Sequence, residues 1–391
     1  MQRQKLIVLI IILALVLAGC IATAVTMTVT EPQPTDPAPT EPTVTDPAPT
    51  ETDPAPTETD PPPTEPPTEP PTEPPTEPPT TEFVLSFVGD CTLGTMPNRM
   101  NKSNSYLGVV GDNYAWPFQS VLQYFSADDC TFANLESVMI DGDAKAADKQ
   151  FTFRGPTAYT NILTMGSVEF VTLANNHTMD FGEAGYISTK NALLGAGIRF
   201  TEKNGTALFT TESGLTIGAY AVYWSLSAED MKEDVAMLRA QGAEIIVASM
   251  HLGTEGSYRT TSKQESIAHD LIDAGVDIVW GHHPHVLQRI EEYNGGIIYY
   301  SLGNFSFGGN HDPYDYDTAI VQQKIIRDSE GNITLGETEL IPCALSSVLK
   351  KNDFQPTPYD PESEAYYRTL AKLNGTYKGA DVDMSYRDEL K

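Results

Sequence analysis

Residues 168–182 read Val-Glu-Phe-Val-Thr-Leu-Ala-Asn-Asn-His-Thr-Met-Asp-Phe-Gly. The first six mix Val, Phe, Thr and Leu, the composition of a strand covered on both faces. The run then breaks into Ala174-Asn175-Asn176-His177, with Asp180 and Gly182 just beyond. A helical pattern follows over residues 183–194. Strand, polar edge and helix in succession form the unit of an α/β fold, and ligands in such folds collect where parallel strands end.

The same unit recurs on either side. Residues 83–88 end in Gly89-Asp90, and 130–134 end in Asn134-Leu135-Glu136. Residues 244–249 end in Met250-His251-Leu252-Gly253-Thr254-Glu255, and 277–280 end in Gly281-His282-His283-Pro284-His285. Residues 216–223 make a further strand-like run. Helical patterns lie at 117–126, 157–165, 228–241 and 263–274. Gly195, Gly242 and Gly275 stand just past three of the helices, where a C-terminal cap calls for glycine. The expectation is an α/β fold with helices outside a largely buried sheet. Residues 286–292, 297–301, 318–327 and 333–341 follow one another without helices and predict a second, more antiparallel sheet. The polar, aromatic tail predicts one helix near 361–373.

Five strand ends thus deliver Asp90, Glu136, Asn176 with His177, His251, and His283 with His285 to one rim. Five of the seven histidines in the chain lie there. Imidazole and carboxylate together suit Zn, Fe, Mn or Co, and a bridging carboxylate holds two ions about 3.5–4 Å apart. The absence of cysteine from the set argues against a structural zinc site. His283 and His285, two apart in an extended segment, point the same way; His282 between the glycine and this pair reads as a surface residue or one behind the ligands.

Composition divides the chain. Of its 29 prolines, 20 fall within residues 31–82, together with 13 acidic residues and no Lys or Arg. That window holds no aromatic residue and almost nothing aliphatic, so it cannot bury a core and is read as disordered. It repeats Thr-Asp-Pro-Ala-Pro-Thr-Glu and then Pro-Pro-Thr-Glu. At polyproline II rise, 52 residues reach roughly 160 Å. A stalk and a passive spacer are the two readings. Of the formal charge of −29, the rest of the chain from residue 83 carries −18. Such acidity repels polyanions, so nucleic acid is excluded as a partner.

Arg3 and Lys5 precede an apolar run, 6–17, and then Ala18-Gly19-Cys20. This is the pattern of a secretory signal, and Leu17-Ala18-Gly19-Cys20 resembles the lipobox of bacterial lipoproteins, which places a lipid on Cys20. The competing reading is an uncleaved membrane helix over 6–25. Both set the remainder outside the cytoplasm. Cys91, Cys130 and Cys343 form no disulfide framework and read as small buried residues, with a single disulfide left open. The expected organisation is a lipoprotein signal peptide over 1–20, a disordered repeat linker over 21–82, one α/β domain over 83–345 and a C-terminal extension over 346–391.

Six ordered motifs carry a resemblance. They are Phe87-Val88-Gly89-Asp90, Ala133-Asn134-Leu135-Glu136, Ala174-Asn175-Asn176-His177 with Asp180 and Gly182, His251-x-Gly253-x-Glu255, Gly281-His282-His283-Pro284-His285 and Tyr300-Ser301-Leu302-Gly303-Asn304-Phe305. Together they resemble the CapA (PgsA) family of poly-γ-glutamate capsule biosynthesis proteins, over residues 83–341. That family looks like a branch of the calcineurin-like metallophosphatases, which implies a two-sheet α/β/β/α sandwich. By resemblance, Asp90 and His285 bind a first metal, Glu136 bridges, and Asn176, His251 and His283 bind a second. His177 resembles the general acid, with Asp180 as its orienting partner. Asn134, Glu255 and Asn304 have supporting places. Two departures stand out: Thr92 occupies the position of a ligand histidine, and Thr178 that of the acid after the histidine. One or two divalent ions (Mn, Fe, Zn or Co) are implied. The readings of function are a metal-dependent hydrolase or transferase, a non-catalytic accessory of a membrane synthase that handles an anionic polymer, and a surface adhesin on a stalk.

Overall fold

The computed structural model describes residues 80–225 and 227–384. The expected export signal, Cys20 and nearly all of the proline-acid repeat lie outside them. In chain order the first half runs β1 (Thr81–Thr92), α1 (Tyr106–Val110), α2 (Leu122–Phe125), β2 (Cys130–Leu135), β3 (Val138–Met139), β4 (Arg154–Gly155), α3 (Thr160–Met165), β5 (Phe170–Thr172), α4 (Gly182–Gly195), β6 (Arg199–Thr201) and β7 (Thr206–Thr210). The second runs β8 (Thr216–Tyr223), α5 (Ala228–Ala240), β9 (Ile245–His251), α6 (Ser262–Asp273), β10 (Ile278–His282), β11 (Ile290–Tyr293), β12 (Gly296–Tyr299), β13 (Asn304–Phe307), β14 (Asp317–Arg327), β15 (Ile333–Ala344), β16 (Thr357–Pro358) and α7 (Glu364–Leu373).

Two mixed sheets face each other. The first has the order β16-β15-β14-β1-β2-β5-β6, with β13 also pairing on β1; the second has the order β11-β12-β10-β9-β8-β7. Strand β1 runs parallel to β2, β2 to β5, β8 to β9 and β9 to β10. Between the sheets, Phe87, Phe132 and Phe170 pack on Ile217, Val247, Ile278, Trp280 and Tyr299. Trp280 also donates from Nε1 to the Val88 carbonyl at 2.9 Å, a bond from one sheet to the other. The outer face of the first sheet packs on Tyr106, Phe118, Ile162, Leu163 and Leu193. The outer face of the second packs on Met231, Val235 and Leu238 of α5 and Ile267 and Leu271 of α6. In β9, Ile245 and Val247 face the sheet–sheet core, while Ile246 and Ala248 face the helices. Alternation with both faces covered is why these strands read as unbroken apolar runs. The architecture is helix, sheet, sheet, helix, as the resemblance implied.

The partition of strands differs from the expectation. Residues 297–301 and 318–341 do not form an antiparallel sheet of their own. Strand β12 pairs parallel with β10, β14 extends the first sheet by pairing antiparallel with β1, and β15 pairs antiparallel with β14. Hydrophobic pattern reports that both faces are buried; it does not report which neighbour supplies the backbone bonds. The predicted helix over 117–126 is a turn of 3-10 helix at Trp116–Phe118 followed by the single turn α2. Gly195 is the last residue of α4, and the positive φ falls on Gly197, whereas Gly242 and Gly275 cap α5 and α6 at φ 99° and 104°. Helix α6 starts with a capping box, in which the Thr261 hydroxyl accepts from Gln264 N–H and the Gln264 side chain accepts from Thr261 N–H. Cys91, Cys130 and Cys343 are buried free thiols.

A carboxylate stands immediately before each of four parallel strands and bonds the backbone of its neighbour. Asp129 accepts from Val84 N–H at 2.6 Å and Glu169 from Thr131 N–H at 2.8 Å. Glu244 accepts from Thr216 N–H at 2.8 Å and Asp277 from Ile246 N–H at 2.6 Å. These bonds close the amino ends of the strands, opposite the rim described next. Residues 346–384 join the same body: Phe354 packs in the outer core of the first sheet and Leu373 of α7 in the central core.

Candidate metal centre

Strand β1 brings Asp90 to its carboxyl end because Gly89 lets another chain segment come close. A Cβ at Gly89 would lie 1.9 Å from the Gly303 carbonyl oxygen. Asp90 N–H donates to that oxygen at 2.8 Å, which sets Asn304 beside Asp90 as β13 begins. Asp90 is fully buried. Its Oδ1 accepts from Asn134 Nδ2 at 2.8 Å, and its Oδ2 lies 3.0 Å from His285 Nδ1. Asn134 in turn accepts from Asn175 Nδ2 at 2.9 Å, and Asn175 also donates to the Leu135 carbonyl. Asn134 and Asn175 are therefore the bracket that ties the ends of β1, β2 and β5 together.

Glu136, also fully buried, follows β2. Its Oε1 lies 3.6 Å from His251 Nε2 and 4.0 Å from His177 Nε2. His251, the last residue of β9, lies 3.0 Å from the Asn176 amide oxygen through the same Nε2. The second sheet thus supplies His251, His283 and His285, and the first sheet supplies Asp90, Glu136 and Asn176. Asn304 Oδ1 is 2.9 Å from His285 Nδ1. His283 and His251 have ring centroids 4.8 Å apart.

His177 is held by three contacts. Its backbone N–H donates to Asn175 Oδ1 at 3.0 Å, its ring lies 4.6 Å from the Phe153 ring, and its Nδ1 is 2.8 Å from Asp180 Oδ2. Asp180 is fully buried, accepts from Phe153 N–H at 2.6 Å and pairs with Lys149. A carboxylate on Nδ1 leaves Nε2 as the ring nitrogen facing Glu136 and the cavity. Thr92 spends its hydroxyl on the Glu136 carbonyl at 3.2 Å.

Two further residues complete the surroundings of the centre. Of the two readings for His282, the structure has the one behind the ligands: it is 1% exposed, its Nδ1 lies 3.4 Å from Asp90 Oδ1, and neither ring nitrogen is hydrogen-bonded. As the last residue of β10 it is paired in register with His251, so its side chain stands on the same face of the sheet as that of His251. Lys149 was not singled out, because the loop that carries it has no periodicity. It donates to the Asn176 carbonyl at 2.7 Å and completes the Asp180 cluster.

The electrostatics are those of a site built around positive charge. Burial alone would raise the Asp90 carboxyl, but the His282 and His285 imidazoles outweigh it and hold it well below the ordinary range. Burial, then the Asp90 charge, drives Glu136 well up. His285 is pushed up to about 9: burial opposes this, and Glu136 and Asp90 overcome it. Burial lowers His177, His251 and His282, and with the His285 charge takes His283 down to about 4. Neutral imidazoles are the form that binds metal. Asp90 Oδ2 and Glu136 Oε1 are buried and accept no hydrogen bond. A buried carboxyl oxygen without a hydrogen-bond donor is costly, and a cation placed beside it removes that cost. The donor atoms of Asp90, Glu136 and His285 lie within 4.8 Å of one another. The residues present fit a divalent ion.

A cavity of about 650 Å³ opens on this centre. Its lining includes Lys149, Asn176, His177, Glu255, His285 and Asn304, with Phe153 and Phe307 among the apolar residues.

A two-sheet α/β sandwich with a buried His-carboxylate-Asn centre at the carboxyl edge of its strands is the class defined by these features. Residues 84–222 and 201–309 match the family described as bacterial capsule synthesis protein PGA_cap, and the chain belongs to that family. It is 28% identical over 334 residues to the PGA biosynthesis protein CapA of Bacillus subtilis, covering 78% of this chain and 83% of that one. It is 29% identical over 303 residues to the capsule biosynthesis protein CapA of Bacillus anthracis, covering 69% and 71%. Among solved structures it is similar to the NAD nucleotidase of Haemophilus influenzae, at a TM-score of 0.41 and 12% identity, covering 80% of this chain and 66% of that one.

Proposed function

We propose that this protein is a membrane-held, extracytoplasmic component of poly-γ-glutamate capsule synthesis whose centre binds one or two divalent ions and hydrolyses a phosphoester or amide bond. The observation that carries the reading is the pair of fully buried acids, Asp90 and Glu136, each with an oxygen that accepts no hydrogen bond and stands beside an imidazole, His285 for Asp90 and His251 for Glu136. Asp90, Glu136, Asn176, His251, His283 and His285 would hold the ions, which when bound polarise the scissile group and acidify a water. Asn134 fixes the Asp90 carboxylate. Asp180 holds the proton of His177 on Nδ1, so Nε2 is the atom that exchanges a proton with the leaving group. Phe153 and Phe307 exclude water from one side of the cavity. Bound ions reverse the local sign of an acidic surface and let it accept an anionic polymer. The membrane is reached through a lipid on Cys20, and the acidic repeat carries the domain outward.

A second reading, a non-catalytic accessory that grips the polymer, is favoured by Thr92, whose hydroxyl is committed to a backbone carbonyl and adds no ligand. Elemental analysis of the purified chain and hydrolysis panels of phosphomonoesters, phosphodiesters and γ-glutamyl oligomers separate the readings. The expected result is bound Mn, Fe, Zn or Co and an activity that His177→Ala abolishes while metal content stays. A chain that takes up no divalent ion refutes both readings. Binding of the oligomer without any cleavage selects the second.

A further inference from the structure

We propose that Glu255 is a metal ligand, and that with His283 and His285 it forms a second donor group beside Asp90, Glu136 and His285. This rests on the reading that the centre binds divalent ions, and it moves Glu255 from a supporting place to a coordinating one.

The donor atoms of Glu255, His283 and His285 lie within 4.8 Å of one another, and the group faces the cavity. The backbone there is shaped for this arrangement. His283 and His285, either side of Pro284, have φ of 96° and 58°, and Gly253 has φ of 133°. Non-glycine residues in the left-handed region persist where the surroundings over-determine them, commonly at ligand sites. Two backbone bonds staple the Glu255 loop to the histidine loop: Leu252 N–H to the His282 carbonyl at 3.1 Å and Gly256 N–H to the Pro284 carbonyl at 2.8 Å. Glu255 lies between the staples. A Cβ at Gly253 would sit 2.8 Å from Pro284 Cγ, so the two loops pack in direct contact. His283 Nδ1 is buried and accepts or donates no hydrogen bond.

The same loop is fastened from the other side by the C-terminal segment. Val382 N–H donates to the Gly256 carbonyl at 2.9 Å. The Asp381 carboxylate accepts from Tyr258 N–H at 3.0 Å and the Ser257 hydroxyl at 3.1 Å, and pairs with Arg259. Glu255 is thereby held in place by a segment outside the residues matched to the family.

Two imidazoles and one carboxylate, with open positions toward a cavity, suit Zn²⁺, Fe²⁺, Mn²⁺ or Co²⁺. His285 stands near both donor groups; its Nδ1 faces the Asp90 and Asn304 oxygens and so carries the ring proton, which leaves the one lone pair, on Nε2, for a single ion.

The test is equilibrium dialysis of the metal-stripped whole chain against Co²⁺, with elemental analysis for stoichiometry and the visible Co²⁺ spectrum as an independent readout. The wild type is expected to bind two ions. Glu255→Gln is expected to keep one, with the other weakened by about 100-fold or more, beyond the 10–100-fold typical of losing an outer partner, and with a changed spectrum. Glu255→Asp should retain part of the binding. A Glu255→Gln chain that binds two ions with unchanged affinity and spectrum overturns the assignment alone. A wild type that binds no ion overturns it together with the proposed function.

Discussion

Lys372 is the group whose loss the fold should feel most outside the metal centre. It lies on α7, is 3% exposed, and its ammonium donates to both Asp315 oxygens and to Asp317 Oδ2, each at 2.8 Å. The Tyr258 and Tyr377 rings lie 4.6 and 5.2 Å from it. Lys372→Met keeps the apolar stem and deletes the charge. Asp317 would keep the Arg368 fork, both bonds at 2.7 Å, and the Tyr359 hydroxyl at 2.9 Å. Asp315 would keep only the Tyr258 hydroxyl and the Asp317 N–H. Removing one partner of a buried ion pair costs about 3–5 kcal/mol, and the surviving partners of Asp317 put this case near 3 kcal/mol. For a body of about 300 residues, an unfolding entropy of roughly 0.6 kcal/mol/K converts that to a fall of about 5 °C in Tm. Differential scanning calorimetry at neutral pH and fixed metal reads it. The companion Lys372→Met/Asp315→Asn should recover most of the loss, because the stranded carboxylate is gone. A single variant within about 1 °C of wild type, or a double variant that recovers nothing, refutes the argument that charge is the source.

Asp128 gives a pH prediction away from the metal centre. Burial first, against bonds from Ser86 and Thr131, pushes its carboxyl up to about 7. A raised acid contributes stability that is complete below the ordinary carboxylate range and is lost as pH rises through about 7. Asp128→Asn removes that loss, so its Tm should exceed that of wild type by the equivalent of about 1–2 kcal/mol near pH 8, after allowance for partial exposure. The two should converge near pH 4, and parallel Tm profiles would contradict the assignment. Asp381→Ala should free the C-terminal segment locally. Hydrogen exchange at residues 376–384 and at Gly256 should quicken, with Tm lowered by less than about 1 °C, since exposed ion pairs contribute little. Unchanged exchange there would show that the Val382 bond and the Arg259 bond to the Gly379 carbonyl fasten the strap without Asp381.

The rim was legible because covered parallel strands leave long apolar runs, and the first polar residues after them fall at one edge. Asp90, Glu136, Asn176, His251, His283 and His285 meet there for that reason. The bonding order of the strands was not legible. Neither the short apolar β12 nor the longer, mixed β14 carries a mark of its partner, yet one pairs with β10 and the other with β1. The short strands β6, β7 and β13 escaped notice, being three to five residues long with weak alternation. Lys149 and Asp381 sit in polar loops, where only three-dimensional proximity reveals a role. His282 stands behind the ligands because it ends β10 in register with His251, and the left-handed φ of His283 turns the chain just after it.

The four carboxylates at the amino ends of the strands act at a distance. Each bonds one particular N–H, 28 to 45 residues away in the chain, and so selects one alignment between neighbouring parallel strands. Sliding β2 against β1 by two residues would preserve which side chains face inward, and the apolar core alone would resist it weakly. It would carry Glu136 about 6–7 Å from Asp90 along the strand. A metal tolerates ligand errors of only about 0.2 Å. The acid groups at the closed end of the sheet therefore act as a ruler for the open end, and part of this chain's negative charge is spent on measuring distance.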